Sequence, residues 1–147
     1  MSNRAIDQDA VVQTLNGILE LELAGVVRYM HYSFMVFGPN RIPVVKWMRT
    51  QSEEGMGHAA EAGEFITALG GHPSLRIGKL LETEKHSITQ ILEESVEHEE
   101  GGLVLYHTLL EQTAGRDVGL EEFARAMIAE ESKHVSEIRK MLRNPPE

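Results

Sequence analysis

Long segments of helical periodicity, interrupted by glycine and proline, constrain this chain more than any other feature of its sequence. Through most of its length, apolar residues recur at intervals of three and four, about 100° apart around a helix. Glycine and proline, which end helices, interrupt this pattern at 38–39, 70–73 and 115. We therefore predict an all-α chain with four helices, over about residues 9–37, 42–69, 86–112 and 119–143.

The lengths of the three links predict how these helices connect. A helix of about 25 residues spans about 38 Å, so the short first and third links imply antiparallel neighbours. The second link contains a loop-like stretch over about residues 74–84, which is long enough to run back along the bundle. We predict a single domain over residues 1–147, a four-helix bundle with one long crossover between the second and third helices. The alternative is an up-down bundle with a loose loop.

The amino-acid composition excludes several kinds of functional site and binding partner. The chain has no cysteine, which excludes disulfides, thiol nucleophiles and cysteine-ligated metals, so a metal site must use oxygen and nitrogen. A net charge of −9 repels nucleic acid and attracts cations. No apolar run approaches the roughly 18 residues of a membrane span, and the first residues do not resemble a signal peptide. We expect a cytoplasmic protein that does not associate with membranes.

Polar residues fall on the apolar faces of the predicted helices; besides Gln51, five of them are carboxylates or imidazoles. Glu22 lies on the first helix, His58 on the second, Glu99 on the third, and Glu131 with His134 on the fourth. A single inward glutamate usually forms a buried salt bridge, but the lysines and arginines of these helices fall off the apolar faces. An unpaired buried carboxylate costs several kcal/mol. Carboxylates with imidazoles suit iron or manganese, so the pattern predicts a metal site.

The second helix departs from the pattern of a Glu-x-x-His pair. Gly55 stands three residues before His58, where a glutamate would complete the pair, and Glu54 stands one position earlier on the flank of the helix. The glycine leaves space and loosens the helix. Glu54 could turn toward the metals or remain on the surface. The sequence leaves open whether Glu54, the inward Gln51 or water replaces the missing carboxylate.

These residues carry a likeness to a known family. Leu21-Glu22-Leu23-Ala24, with Tyr29 seven residues after Glu22, is similar to the first helix of bacterioferritins. Met56-Gly57-His58-Ala59 and Leu69-Gly70-Gly71-His72-Pro73 resemble the second helix and its end, and Glu131-Ser132-Lys133-His134 matches the Glu-x-x-His of the fourth. The chain therefore resembles bacterioferritins and their Dps-like relatives in the ferritin-like superfamily, from about residue 15 to 134.

The resemblance implies a ferroxidase centre with two irons per subunit, which oxidises Fe²⁺ with dioxygen or peroxide. Glu22 and Glu99 would be terminal or bridging ligands, Glu131 would bridge, and His58 and His134 would each supply a nitrogen. These five would also be the catalytic residues, with Glu54 as a further candidate metal ligand and Tyr29 close to the site.

Three departures from the family bear on these expectations. Gly55 replaces the second-helix ligand, which puts a standard site in doubt. The chain ends without room for a short fifth helix, which leaves a dimer or a 12-subunit shell more open than a 24-subunit cage. Met56 matches the methionine through which bacterioferritin subunits share a haem, but it could be an ordinary interface residue.

The expected function is iron storage or detoxification by a di-iron ferroxidase that forms a homo-oligomer. The alternatives are a di-metal peroxidase or oxidase that does not store iron, and a helical module with a degenerate site that acts in assembly or partner binding. Direct nucleic-acid binding is not expected, given the net charge and the absence of a lysine-rich tail. His98 is the best candidate for an extra ligand among five other histidines that we interpret mostly as surface residues: His31, His72, His86, His98 and His107.

Overall fold

The computed structural model describes residues 5–84 and 86–144 of the chain. These residues form four helices and no strand: α1 (Gln8–Phe34), α2 (Arg41–Ala68), α3 (Ile88–Thr113) and α4 (Val118–Leu142). The predicted all-α four-helix bundle is confirmed, with its long crossover at residues 69–87 between α2 and α3. Helix α1 packs against α2 and α3, and α3 packs against α4.

Three of the four helices begin at a side-chain cap. The carboxylate or hydroxyl of the residue before each helix accepts a hydrogen bond from the backbone N–H three positions later, which satisfies one of the free N–H groups of the first turn. These caps are Asp7 for α1, Ser87 for α3 and Asp117 for α4. The starts of these helices are therefore determined locally by the sequence.

Helix α1 ends earlier than its apolar pattern predicts. We expected it to continue to Phe37 with that side chain in the core, but the helix stops at Phe34, and Phe37 is 72% exposed. The chain then turns through Gly38, whose φ of +104° is a conformation that few other residues adopt. The expectation for Phe37 was wrong because the turn begins before this residue.

Two apolar clusters fill the bundle, one toward each end. The first joins the N-terminal half of α1 to the C-terminal half of α2, and the second joins the opposite halves. Polar side chains of the middle turns lie between them. The largest fully buried members are Leu15, Ile18, Ile66, Tyr106, Leu109 and Leu120 in the first cluster, and Met48, Ile91, Ile138 and Val36 in the second.

The crossover follows α1 from its N-terminal end toward its C-terminal end. The amide of Asn16 binds the start of the crossover, accepting from Ser74 N–H at 2.7 Å and donating to the His72 carbonyl at 3.2 Å. Further along, Gly78 N–H donates to the Glu20 carbonyl at 2.8 Å. The Asn16 side chain and the backbone of α1 therefore position the crossover, which has no helical periodicity of its own.

Helix α1 is also apolar on average. An 18-residue window of Gln8–Phe34 has a mean hydropathy of 1.4, so this helix could cross a membrane by length and composition alone. The core helix of a soluble protein passes the same test, and 39% of that window is buried inside the bundle. Packing against the other helices accounts for the buried apolar residues of α1, whereas Val27 and Phe34 are 43% and 54% exposed.

Candidate metal centre

The five inward polar residues meet in the middle of the bundle, between the two apolar clusters. Glu22, His58, Glu99 and Glu131 are buried, and His134 is partly exposed. They form two groups, Glu22–His58–Glu131 and Glu99–Glu131–His134, and the potential ligand atoms in each group all lie within 4.8 Å of one another. Since Glu131 belongs to both groups, it can bridge two ions, one in each group.

Both histidines direct Nδ1 toward the shared carboxylate of Glu131. Nδ1 of His58 lies 3.3 Å from Glu22 Oε2 and 3.7 Å from Glu131 Oε1. Nδ1 of His134 lies 3.6 Å from the other oxygen, Glu131 Oε2. Glu131 therefore lies between the two imidazoles, with one oxygen toward each.

The outer nitrogens of the same histidines contact a second pair of carboxylates. His58 Nε2 lies 3.0 Å from Glu130 Oε2, and His134 Nε2 lies 3.2 Å from Glu54 Oε2. The arrangement is reciprocal, because each histidine contacts the glutamate that stands four residues before the other histidine. A carboxylate on the outer nitrogen fixes the orientation of a ligand imidazole and raises its basicity. Glu54 thus lies at the outer edge of the centre, next to His134.

Two tyrosines hold the terminal carboxylates. Tyr29 donates its hydroxyl to Glu99 Oε1 at 2.6 Å, and Tyr106 donates to Glu22 Oε1 at 3.1 Å. Each bond occupies one oxygen and orients the carboxylate, while the other oxygen stays available to a cation. The sequence predicted Tyr29 near the site, but it identified Tyr106 only as a core residue.

Burial changes the proton affinity of the centre. It raises the pKa of Glu22 and, together with the neighbouring Glu131, raises the pKa of Glu99 well above its ordinary value. Burial also raises the pKa of Glu131 to about 7. For His58, burial alone would lower the pKa, but the hydrogen bond and charge of Glu22 outweigh it and raise the pKa to about 9. Without metal, the centre therefore retains protons at neutral pH.

Lysine and arginine do not neutralise these carboxylates. Within residues 5–84 and 86–144, the ion pairs of Glu22 and Glu131 involve histidine only, and Glu99 has none. Arg28 was expected off the apolar face, but its side chain is only 7% exposed. Its guanidinium reaches His98 Nδ1 at 3.3 Å and the Tyr32 hydroxyl at 3.2 Å instead of a carboxylate.

His98 is not the surface residue that the sequence suggested. Burial and the charge of Arg28 lower the pKa of His98 to about 4, so its imidazole is neutral. The ring packs against α1 where Gly25 has no side chain, because a Cβ atom on Gly25 would lie 2.7 Å from His98 Nε2. His98 lines the cavity of the centre, although it belongs to neither ligand group.

The residues present fit a pair of divalent cations. Glu131 Oε2 and His134 Nδ1 are buried and have no hydrogen-bond partner, although both belong to the group that also contains Glu99. An unpartnered buried polar atom is unfavourable, and a cation between these atoms would remove the penalty. Oxygen and imidazole ligands suit iron, manganese or zinc.

Gly55 faces this centre at a close contact between α2 and α1. A Cβ atom at this position would lie 3.2 Å from Val26 Cγ2 and 3.7 Å from Glu22 Oε2, so the backbone of α2 approaches the carboxylates and a side chain here would have to displace Val26 slightly. The next residue, Met56, is 57% exposed on the outside of the bundle.

Sequence reasoning overlooked Glu130 and the role of Tyr106. The available signal was the repeated Glu-x-x-x-His spacing, Glu54 before His58 and Glu130 before His134, because residues four apart share a helix face. No pattern in the sequence separates Tyr106 from the other aromatic residues of the core.

Four helices that carry two histidine–carboxylate groups around a shared glutamate define the di-metal carboxylate class of bundle. The chain belongs to the ferritin-like domain family, which matches residues 12–146. No curated protein sequence matches the chain significantly.

The family match confirms the ferritin-like superfamily that the sequence resembled. Solved structures with the same fold include bacterioferritin-related proteins. A ferritin-like, diiron-carboxylate protein from Bacillus anthracis has a TM-score of 0.89 at 25% identity, covering 95% of this chain and 100% of the other. The dodecameric thioferritin of Bacteroides fragilis, a bacterioferritin-related protein, has a TM-score of 0.87 at 23% identity, covering 93% and 86%. Rhodobacter capsulatus bacterioferritin, with a metal-free dinuclear site and haem iron, has a TM-score of 0.81 at 24% identity, covering 95% and 86%.

Proposed function

We propose that this protein is a di-iron ferroxidase, which binds two Fe²⁺ ions per chain and oxidises them with dioxygen or peroxide for iron storage or detoxification. The observation that carries the proposal is the pair of histidine–carboxylate groups that share Glu131 in the middle of the bundle. Each group offers two carboxylates and one imidazole, a ligand set typical of iron. The diiron-carboxylate protein from Bacillus anthracis supports the choice of iron.

The protein contributes charge and geometry to this reaction. One ion would bind at Glu22, His58 and Glu131, and the other at Glu99, Glu131 and His134. Carboxylates stabilise the ferric product more than the ferrous substrate because its charge is higher. Each ion would give up one electron to the oxidant, and Glu131, whose two oxygens face His58 and His134, would keep the two ions adjacent.

Metal binding would also displace protons from the centre. The pKa of His58 is about 9 without metal, so its Nδ1 must lose a proton before it binds a cation. Glu130 remains on the outer nitrogen of His58 at 3.0 Å and holds the ring in the orientation that points Nδ1 inward. Glu54 and His134 would act in the same way on the second ion, with Glu54 as a supporting residue or an additional ligand.

A homo-oligomer in the cytoplasm fits this function, as a dimer or as a closed shell. The dodecameric state of the Bacteroides fragilis protein supports a shell of twelve subunits. Haem is a further proposal for the subunit interface, supported by the exposed position of Met56 and by the haem iron of the Rhodobacter capsulatus protein. An oligomer without a shell would leave the same centre to act as a peroxidase or oxidase that does not store iron.

The competing function is a helical module whose site has lost its metal because of Gly55. Three buried carboxylates without lysine or arginine partners destabilise a bundle that binds no metal, because ordinary core residues would stabilise it more. Their presence therefore argues against a site that has lost its metal. The reciprocal contacts of His58 with Glu130 and of His134 with Glu54 also support a centre that still binds metal.

The test measures iron content and the rate of ferrous oxidation in the purified protein. We expect about two irons per chain and oxidation well above the rate without protein. Both should be lost in the Glu131→Ala/His134→Ala variant, which removes the bridge and a nitrogen ligand. The matched control is Glu97→Ala/His107→Ala, which removes the same two residue types from the exposed surface of α3 and should change neither measurement.

The oxidation product separates the remaining alternatives. Mineral that co-elutes with the assembled protein would favour storage, whereas ferric iron released to solution would favour a centre that does not store iron. One metal or none per chain, with no oxidation above background, would contradict the proposal and favour the assembly module.

A further inference from the structure

A second group of potential metal ligands lies where the crossover reaches the end of α1. It consists of His31 in the last turn of α1, Glu82 in the crossover, and His86 just before the cap of α3. All three potential ligand atoms lie within 4.8 Å of one another. His31 lies nine positions beyond Glu22 along α1, about 14 Å at 1.5 Å per residue, so this group is separate from the di-metal centre.

Glu82 lies between the two imidazoles. Its Oε2 is 3.0 Å from His31 Nε2, and its Oε1 is 3.7 Å from His86 Nε2. The two rings lie edge to face, with centroids 5.6 Å apart. Glu82 Oε1 also accepts a hydrogen bond from Glu84 N–H at 2.6 Å, which holds the carboxylate in place. Both imidazoles therefore converge on one fixed carboxylate.

The histidines of this group retain unused nitrogen atoms. His31 Nε2, which faces Glu82, is shielded from solvent and has no partner with hydrogen-bond geometry. His86 approaches Glu82 with Nε2, while its Nδ1 is shielded and also unpartnered. The short distance from His31 Nε2 to Glu82 is thus a close approach without a hydrogen bond. A nitrogen that faces a carboxylate at this range, without donating to it, is placed as a metal ligand would be.

The backbone around Glu82 adopts an unfavourable conformation to bring these side chains together. Leu81 and Glu84 have φ values of +54° and +56°, the only positive values outside glycine in the described residues. Such conformations cost of order 1 kcal/mol or more in residues other than glycine and persist where the surrounding structure requires them. These two residues flank Glu82 and fold the crossover back onto α1.

We propose that His31, Glu82 and His86 form a mononuclear site for a divalent transition-metal ion, which fastens the end of the crossover to α1. Two imidazoles and one carboxylate select Zn²⁺, Fe²⁺ or Mn²⁺ over Ca²⁺ and Mg²⁺, which prefer oxygen ligands. Three protein ligands leave positions for water. The side chains of His31 and Glu82 are 42% and 53% exposed, so the ion exchanges with solvent.

The test uses a background in which the di-metal centre does not compete for the ion. Glu22→Gln/Glu131→Gln/His134→Gln removes a ligand from each of the three groups of the centre, Glu22–His58–Glu131, Glu99–Glu131–His134 and Glu54–Glu130–His134, and reduces its buried charge, so the bundle should keep its fold. Calorimetric titration of this variant with Zn²⁺ should give one ion per chain. Adding His31→Gln or His86→Gln should weaken that binding by at least about tenfold, the effect of a lost ligand.

The matched control is His107→Gln, which replaces an exposed histidine of α3 outside every ligand group and should leave the binding unchanged. Imidazole nitrogen resonances identify the ligands directly, because those of His31 and His86 should shift on addition of Zn²⁺ while that of His107 should not. Should a histidine variant fail to fold, Glu82→Gln changes an exposed side chain and tests the same site.

An absence of Zn²⁺ binding in the Glu22→Gln/Glu131→Gln/His134→Gln background would overturn the proposal. Binding with the same stoichiometry and affinity in the His31, Glu82 and His86 variants would overturn it as well. Either result would mean that these residues form only a surface ion pair. The proposal and the ferroxidase proposal fail separately, because iron oxidation depends on Glu131 and this binding does not.

Discussion

His58 gives the metal-free protein a stability that should fall as the pH rises above neutral. The pKa of His58 is about 9 in the folded protein and 6.5 for the free side chain. The folded state therefore binds the proton more tightly than the unfolded state does. This stabilisation is fully present below pH 6.5 and is lost as the pH rises through 9.

The magnitude follows from the two pKa values of His58. A pKa difference of one corresponds to about 1.4 kcal/mol, so the shift from 6.5 to about 9 amounts to about 3 kcal/mol. The raised pKa of Glu131 acts in the same direction below about pH 7, and the raised pKa values of Glu22 and Glu99 add to the decline. The lowered pKa of His98 acts in the opposite direction, but mainly below pH 6.5, because His98 is neutral in both states above that value.

The assay is urea unfolding in the presence of a chelator, at a fixed protein concentration so that assembly contributes equally. Between pH 6.5 and 9.5, the free energy of unfolding should fall by at least about 3 kcal/mol. His58→Gln should remove most of this decline, whereas the exposed-residue control His107→Gln should keep it. A free energy of unfolding that stays constant or rises over this range would refute the reasoning, because His58 would then not be held by Glu22 and Glu131.

Three further predictions follow from the same contacts. Gly55→Glu adds a fourth carboxylate to the centre, so it should lower the melting temperature of the metal-free protein. It should also enlarge the increase in melting temperature that metal binding causes. The control Gly55→Gln should produce smaller changes in both. Asn16→Ala removes two hydrogen bonds to the crossover and should cost about 1–2 kcal/mol in urea unfolding, whereas the exposed Gln13→Ala should cost little. Arg28→Met should raise the pKa of His98 in an NMR titration, because it removes the nearby positive charge, while burial keeps that pKa below 6.5.

Each of these predictions has a clear contrary outcome. Equal melting temperatures for metal-free Gly55→Glu and wild type would mean that the new carboxylate points away from the centre. An unchanged stability in Asn16→Ala would mean that the crossover is held elsewhere. An unchanged pKa for His98 in Arg28→Met would mean that burial alone accounts for the shift.

Helical periodicity predicted the inward position of the carboxylates in the centre. Each residue advances about 100° around a helix, so an inward residue such as Glu22 or Glu99 can be recognised from its apolar neighbours. The structure places both in the middle of the bundle. The same reasoning was wrong for Phe37, because periodicity does not indicate where a helix stops.

The sequence did not predict where long side chains reach or where two helices come into close contact. Arg28 begins off the apolar face, but its flexible side chain extends back to His98 under the crossover. His98 is buried because Gly25 lets its ring approach the backbone of α1. Both outcomes depend on how closely α1, α3 and the crossover approach one another, which no single segment determines.

The sequence by itself determined the four helices and the inward faces that carry Glu22, His58, Glu99, Glu131 and His134, because periodicity and capping act within a few residues of each position. Only the tertiary structure decided the pairing of His58 with Glu130 and of His134 with Glu54, which depends on the axial offset between α2 and α4. It also decided the path of the crossover, because residues 69–87 have no periodicity of their own and follow the contacts that α1 offers.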